Sequence, residues 1–176
     1  MIILRACICT SVHSEMYQII HIHFIDPIIR PLMTRIHLSI DPGSRMSQHL
    51  GAALALLESV YLQLHLPTGT RVSAITYGMP RVGNADFANY VDATHNGNLT
   101  HINNKKDPVP IVPGTFLGYR HPSGEVHIQE SSSWVACPGQ DNPSDQCSVG
   151  DVPNVFQSNE ADHDGPYDDG IIMATC

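Results

Sequence analysis

Between residues 49 and 66, apolar side chains recur every three or four positions, at Leu50, Leu54, Leu57, Tyr61 and Leu64. This spacing places them along one face of a helix, because a helix has about 3.6 residues per turn. Alanines near its start favour a helix and are small enough to let it lie close to a sheet. The pattern predicts a helix of roughly 15 residues that ends near the turn-forming residues 67–70.

This helix is followed by two predicted strands with a second helix between them. Residues 71–77 form an apolar run that is suited to a buried strand, and residues 99–103 form another. Between them, Asn84 is placed to cap a helix, because an asparagine side chain accepts hydrogen bonds from the free N–H groups of a first turn. Residues 124–128 predict a further strand in a hairpin. The order of helix, strand, helix and strand predicts the α/β class, with a mostly parallel sheet flanked by helices.

The first 48 residues differ in composition from the rest of the chain. All 13 glycines lie at Gly43 or later, and the only alanine before residue 51 is Ala6. Isoleucine and histidine alternate over residues 19–25, which allows a short strand, and residues 36–40 are a second candidate. We expect residues 1–48 to be a poorly defined segment that is not native to the domain formed by residues 49–176.

Length and charge exclude several classes of protein. At 176 residues, one domain is expected. The 9 basic and 17 acidic residues give a net charge of −8, which disfavours a nucleic-acid-binding protein because phosphates bind basic surfaces. The sequence contains no run of about 18 apolar residues, so it predicts no membrane-spanning helix. Arg5 interrupts the apolar start of the chain, so the sequence does not predict a secretory leader.

Asp107 and His163 are the candidate catalytic residues. Asp107 follows the predicted strand 99–103 by a few residues, and functional side chains of α/β sheets lie in loops at the carboxyl ends of strands. Pro108, next to it, restricts the backbone. His163 lies in a later loop, and a carboxylate that orients an imidazole is a pairing used in general-base catalysis. Spacing alone leaves a chance pairing open, because the chain has 11 histidines.

Four motifs in the second part of the chain resemble the fungal class 3 lipases. They are LGAALALL at 50–57, YGMPRVGN at 77–84, HINNKKDPVP at 101–110 and FLGY at 116–119. They occur in the family's order, and the resemblance spans residues 49–176. It implies an α/β-hydrolase fold and the hydrolysis of carboxylic esters, typically triacylglycerols, by a Ser–Asp–His triad. By this resemblance Asp107 matches the triad acid and His163 the triad base.

The chain departs from the family at the nucleophile. The family pattern Gly-His-Ser-Leu-Gly places a serine on a tight turn between a strand and a helix, whereas this chain reads Ser47-Gln48-His49-Leu50-Gly51. His49 stands at the serine position, and no G-x-S-x-G sequence occurs in the chain. A turn signal at residues 41–45 replaces the strand that should precede the nucleophile. By resemblance, the backbone N–H of Leu50 would be one donor to the oxyanion.

Cys137 and Cys147 flank a short loop that a disulfide would close, with two free thiols as the alternative. A disulfide implies an oxidising setting, and the resemblance implies secretion. We expect no cofactor and no metal site, because the alternating histidines of His21-x-His23 are typical of plain surface or core residues on a strand, and Cys-x-Cys is too short for the usual zinc spacing. The resemblance implies a lipid ester or a lipid–water interface as the partner. We also expect a monomer that binds no nucleic acid.

The sequence therefore predicts an incomplete α/β-hydrolase domain of the class 3 lipase type, with its N-terminal strands missing or non-native. Two triad residues are present and the serine is absent, so we expect the chain to be inactive as an ester hydrolase. Two alternatives stay open. The domain could bind lipid or protein without catalysis, or it could be a non-functional fragment from a mispredicted gene.

Overall fold

The computed structural model describes residues 50–95 and 97–167, together with the backbone of residues 2–6, 17–18, 20–24, 38–39 and 47–49. Its strands are β1 (Ile2–Ala6), β2 (Tyr17–Gln18), β3 (Ile20–Phe24), β4 (Leu38–Ser39), β5 (Val72–Tyr77), β6 (Gly83–Asn84), β7 (Leu99–Asn104), β8 (Tyr119–Arg120), β9 (Glu125–Ile128) and β10 (Trp134–Cys137). Its helices are α1 (Ser47–His65), α2 (Ala85–His95), α3 (Ser148–Asp151) and α4 (Glu160–Asp164), and three short 3-10 turns lie at Val109–Ile111, Thr115–Leu117 and Val155–Gln157.

The main sheet has six strands in the order β10-β9-β7-β5-β1-β3. Four neighbouring strands, β9, β7, β5 and β1, run parallel, and an antiparallel strand closes each side, β10 on β9 and β3 on β1. Because the central strands are parallel, their carboxyl ends lie at one edge of the sheet. The predicted α/β class with a mostly parallel sheet is confirmed.

The predicted elements between residues 49 and 128 are present with small shifts at their ends. Helix α1 starts two residues before residue 49 and ends before the predicted turn. Strands β5 and β7 match the predicted segments within one residue. The predicted cap of α2 is also present, since the Asn84 side chain accepts from the Phe87 N–H at 3.0 Å. Strand β10, which pairs with β9, was not predicted.

The segment before residue 49 contributes strands to the main sheet. The candidate strands at 19–25 and 36–40 correspond to β3 and β4, whereas β1 was not predicted. β1 lies beside β5 in a parallel register that pairs Ile2 with Val72. The segment before residue 49 therefore supplies β1 and β3 to this sheet. The turn signal at residues 41–45 lies outside the described residues.

The core forms where one face of α1, which includes several alanines, packs on the sheet. Ala52, Leu56 and Leu62 are buried against strand residues such as Val72. The more regular apolar face predicted from the sequence points outwards: Leu50, Leu57, Tyr61 and Leu64 are all exposed. Alanines let the helix backbone approach the sheet closely, as expected from their size, and Leu56 and Leu62 pack beside them.

Candidate functional site

The two predicted catalytic residues meet at the carboxyl edge of the parallel sheet. Asp107 lies three residues after the end of β7, and α4 carries His163. The Nδ1 atom of His163 lies 2.8 Å from Oδ2 of Asp107, although the two residues are 56 positions apart in the sequence. Both side chains are buried, with 4% and 1% of their surface exposed. The structure therefore brings together the pair that spacing alone left open.

The hydrogen bond sets the proton arrangement of the imidazole. A carboxylate oxygen only accepts, so Nδ1 of His163 carries the proton that is shared with Asp107. In the neutral ring, the lone pair then lies on Nε2, which is the atom that acts as a general base in an acid–histidine pair. The second oxygen of Asp107 accepts from the Val109 N–H at 2.8 Å, which fixes the plane of the carboxylate.

A tyrosine completes the environment of this pair. The hydroxyl of Tyr167 lies 3.3 Å from the carbonyl oxygen of His163 and 3.5 Å from Oδ2 of Asp107. Burial, and next to it the negative charge of Asp107, raises the pKa of Tyr167 well above its usual value, so the hydroxyl stays neutral and can donate. Tyr167 was not among the predicted site residues. The Gly165-Pro166 turn signal, between His163 and Tyr167, is the one pattern that could have indicated that the chain folds back here.

Gly78 forms the wall of the site on the side of β5. It follows the last residue of β5 and has a φ of +52°, a left-handed conformation that favours glycine. A Cβ atom at this position would lie 2.7 Å from Cε1 of His163 and 2.9 Å from Oδ2 of Asp107. Gly78 was not predicted as a site residue, although the pair packs directly on it.

Three hydrogen bonds, which we call the α4 clamp, attach α4 to residues 104–106, which precede Asp107. The Asn104 Nδ2 donates to the carbonyl oxygen of Asp162 at 2.8 Å, and the Lys106 N–H donates to the Asp162 carboxylate at 3.2 Å. The Asn159 N–H, at the start of α4, donates to the Lys106 carbonyl at 2.8 Å. The clamp thus connects the residues just before Asp107 to the residue just before His163.

Around His49 the chain differs from the tight turn between a strand and a helix, called the nucleophile elbow, that the family pattern implies. Because α1 starts at Ser47, His49 and Leu50 lie within its first turn. The N–H groups of the residues before Leu50 have no acceptor within the helix. The Leu50 N–H is the first that is expected to donate to a carbonyl of the preceding turn. Leu50 itself is half-exposed. The roles assigned to His49 and Leu50 by resemblance therefore stay predictions.

A second buried polar cluster lies under the loop that contains Asp141. The carboxylate of Asp141 accepts from Nε of Arg81 at 2.8 Å and from the His121 N–H at 3.1 Å. The ring of His121 stacks on that of His101, with centroids 4.9 Å apart, and both are buried. Burial lowers the pKa of both histidines, and for His121 the neighbouring His101 lowers the pKa further. A disulfide between Cys137 and Cys147 closes the loop.

Comparisons with known proteins show which family this chain resembles. The sequence pattern of the family described as lipase (class 3) matches residues 49–117, which include Asp107. The chain belongs to the class 3 lipase family. A secreted mono- and diacylglycerol lipase of Malassezia globosa is 36% identical over 154 residues, which cover 86% of this chain and 49% of that protein. A second such lipase of the same organism is 41% identical over 120 residues, covering 67% and 38% respectively.

Solved structures of lipases share the fold over about 70% of the chain. Lipase II from Rhizopus niveus superposes with a TM-score of 0.59 at 32% identity, covering 70% of this chain and 46% of that one. A lipase from Yarrowia lipolytica gives 0.56 at 33% identity, covering 72% and 45%. The partial α/β-hydrolase fold is thus confirmed. The chain spans about half the length, or less, of the relatives it matches.

The described part of the chain contains neither a candidate membrane span nor a candidate metal cluster. No helix there is both long and apolar enough to span a membrane. Within the same residues, no three histidine, cysteine or acidic side chains lie close enough to hold a metal ion together.

Proposed function

We propose that this class 3 lipase domain carries the acid–base half of a carboxylic ester hydrolase. The observation that supports it is the 2.8 Å bond between the buried Asp107 and His163 at the carboxyl edge of the sheet. Asp107 would orient the ring and stabilise the imidazolium, and His163 would accept the proton of a serine hydroxyl and pass it to the leaving alcohol. Asp107 is thus the proposed triad acid and His163 the proposed triad base.

The chain as it stands lacks the serine, and we propose that it hydrolyses esters poorly or not at all. His49 stands at the serine position, inside the first turn of α1. Loss of the nucleophile of a serine triad reduces turnover on the order of 10⁶-fold, which corresponds to about 8 kcal/mol. The remaining rate would depend on oxyanion donors, of which Leu50 is the proposed one.

Acylglycerol esters at an extracellular lipid surface are the proposed substrate class of the complete enzyme. The relatives are named as secreted mono- and diacylglycerol lipases, and the Cys137–Cys147 disulfide suits an oxidising setting. Residues 49–176 remain the proposed extent of the family domain. The alignment with the first Malassezia relative is longer than this segment, so part of the sequence before residue 49 also resembles that relative.

The purified chain tests the proposal with a short-chain p-nitrophenyl ester and a serine-directed phosphonate. We expect no turnover above buffer and no covalent label on any serine, because no serine follows the family pattern. Stoichiometric labelling of one serine, lost in Asp107→Asn, would reveal an unrecognised nucleophile and would contradict the proposed inactivity.

The variant His49→Ser makes the same test sharper. We expect it to remain inactive and unlabelled, because position 49 lies within a helical turn and not on a sharp strand-to-helix turn. A matched control is Ser47→Ala, which removes the neighbouring hydroxyl. Turnover that appears in His49→Ser and disappears in His49→Ser/His163→Ala would show that an elbow can form here.

A role in lipid binding without turnover is the second candidate, and exposed aromatic side chains favour it. Phe116 and Phe156 are 87% and 95% exposed, which is unusual for phenylalanine and typical of side chains that meet another surface. Flotation with neutral phospholipid vesicles tests this role. Binding lost in Phe116→Ser/Phe156→Ser, with an unchanged melting temperature, would support it. The absence of any cooperative melt in the wild type would instead indicate a fragment without function.

A further inference from the structure

The connection between α2 and β7 contains a sequence that the lipase chemistry does not use. Asn98-Leu99-Thr100 matches the acceptor pattern for N-linked glycosylation, in which asparagine is followed two residues later by serine or threonine. The pattern excludes proline at the middle position. Elsewhere in the sequence, the spacing recurs only at Asn142-Pro143-Ser144, where proline blocks it. The chain therefore has a single complete acceptor sequence.

We propose that Asn98 is a glycosylation site of this protein. The amide Nδ2 would form a bond to the anomeric carbon of an oligosaccharide carried on a lipid pyrophosphate. The bond from that carbon to the pyrophosphate oxygen breaks, the lipid pyrophosphate leaves with the electron pair, and Nδ2 loses one of its two protons. The inference rests on the secretory routing proposed above and is independent of ester hydrolysis.

The local structure suits an attached sugar. Gly97 is exposed with a φ of +79°, so the chain makes a surface turn directly before Asn98, which is itself partly exposed. The Asn98 Nδ2 donates to the carbonyl oxygen of His95, at the end of α2. An amide nitrogen has two hydrogens, and the glycosylated nitrogen keeps one. The backbone N–H of Asn98 also donates to the His95 carbonyl, at 2.9 Å, so the turn does not depend on the side-chain bond alone.

The position of Asn98 also leaves the catalytic edge of the sheet open. Asn98 precedes the first residue of β7, whereas Asp107 follows its last residue. A strand rises about 3.3 Å per residue, so the six steps from Asn98 to Asn104 separate the two edges by about 20 Å. A glycan on Asn98 would therefore extend from the edge opposite to Asp107 and His163, away from any substrate.

Cell-free translation with endoplasmic reticulum microsomes, with the full chain behind a cleavable secretory leader, tests the proposal. We expect one glycan that peptide N-glycosidase removes, leaving aspartate at position 98 in the peptide mass spectrum. Asn98→Gln and Thr100→Val should both lose the glycan completely. Thr100→Ser, which keeps the hydroxyl, should retain it. Because attachment occurs during synthesis, the result does not depend on whether a variant folds stably.

The proline-blocked sequence provides an internal control. Asn142 is in the same chain and lies on an exposed loop, so it should remain unmodified in the wild type and acquire a glycan in Pro143→Ala. The proposal would be overturned if Asn98 stayed unmodified while Asn142 acquired a glycan in Pro143→Ala. Asn98 would then serve only to cap the end of α2. Neither result depends on ester hydrolysis, so the outcome is separate from the fate of the proposed function.

Discussion

At the scale of single residues, the missing side chain of Gly78 leaves the space in which Asp107 and His163 contact each other. We expect Gly78→Ala to push His163 away from Asp107, because its Cβ would lie within 2.9 Å of both side chains. The left-handed backbone adds a cost of about 1–2 kcal/mol. The measurement is the downfield N–H resonance of the His163 imidazole, which should disappear. Gly69→Ala is the matched control, since Gly69 also has a positive φ and has open space around it. An intact resonance in Gly78→Ala would contradict this account.

The sequence predicted the two polar partners but not the residues that hold them. Asp107 was identifiable because a strand end, a proline and a family motif marked its position, and His163 because it lies in a later loop. Gly78 and Tyr167 act through contacts that exist only when β5, β7 and α4 are assembled. No local pattern in the sequence encodes those distances. The roles of His49 and Leu50 depend on a turn geometry that the sequence could not give.

At the scale of elements, the α4 clamp sets the position of His163 relative to Asp107. We expect Asn104→Ala to destabilise the protein by about 1–3 kcal/mol, because it leaves the buried Asp162 carbonyl without its donor. It should also broaden or shift the His163 imidazole N–H resonance. Asn103→Ala is the matched control: its amide bonds to Glu125 at 3.3 Å and does not reach α4. Comparable destabilisation with an unchanged His163 resonance in both variants would show that the clamp has no positioning role.

Elements with a strong local signal were predicted, and those that depend on distant partners were not. Helices α1 and α2 and strands β5 and β7 follow from apolar spacing and a capping asparagine. Strand β1 was missed because four apolar residues near a chain start resemble several structures equally well. It becomes a strand through its pairing with β5. The packed face of α1, which combines Ala52 with Leu56 and Leu62, was similarly not predicted, because it depends on contact with the sheet.

At the scale of the whole molecule, buried neutral histidines make stability depend on pH. The pKa of His101, His121 and His95 is lowered by burial from the usual 6.5. As the pH falls below 6.5, the unfolded chain binds protons on these rings before the folded one does, so the folded state loses stability. The slope is at most about 1.4 kcal/mol per pH unit for each histidine.

The variant His121→Gln tests this pH dependence. Glutamine removes the titrating ring and retains an N–H that can donate to the Pro110 carbonyl, as His121 does at 2.8 Å. Denaturant unfolding at pH 7.5 and 5.5 should show a smaller loss of stability in His121→Gln than in the wild type. His65→Gln, at an exposed position, is the control and should behave as the wild type. An equal loss in all three proteins would mean that His121 does not contribute.

The disulfide has a consequence that extends well beyond its own loop. It joins two cysteines that are ten positions apart. Within the loop that they close, Asp141 supplies the counter-charge of the buried Arg81, 60 positions earlier in the chain. Reduction would therefore remove about 2–3 kcal/mol of chain restriction and also release the anion that makes a buried guanidinium tolerable. In a thiol-rich compartment, loss of the disulfide would weaken the packing around Arg81 together with the loop, so the stability of this fold depends on the redox state of its surroundings.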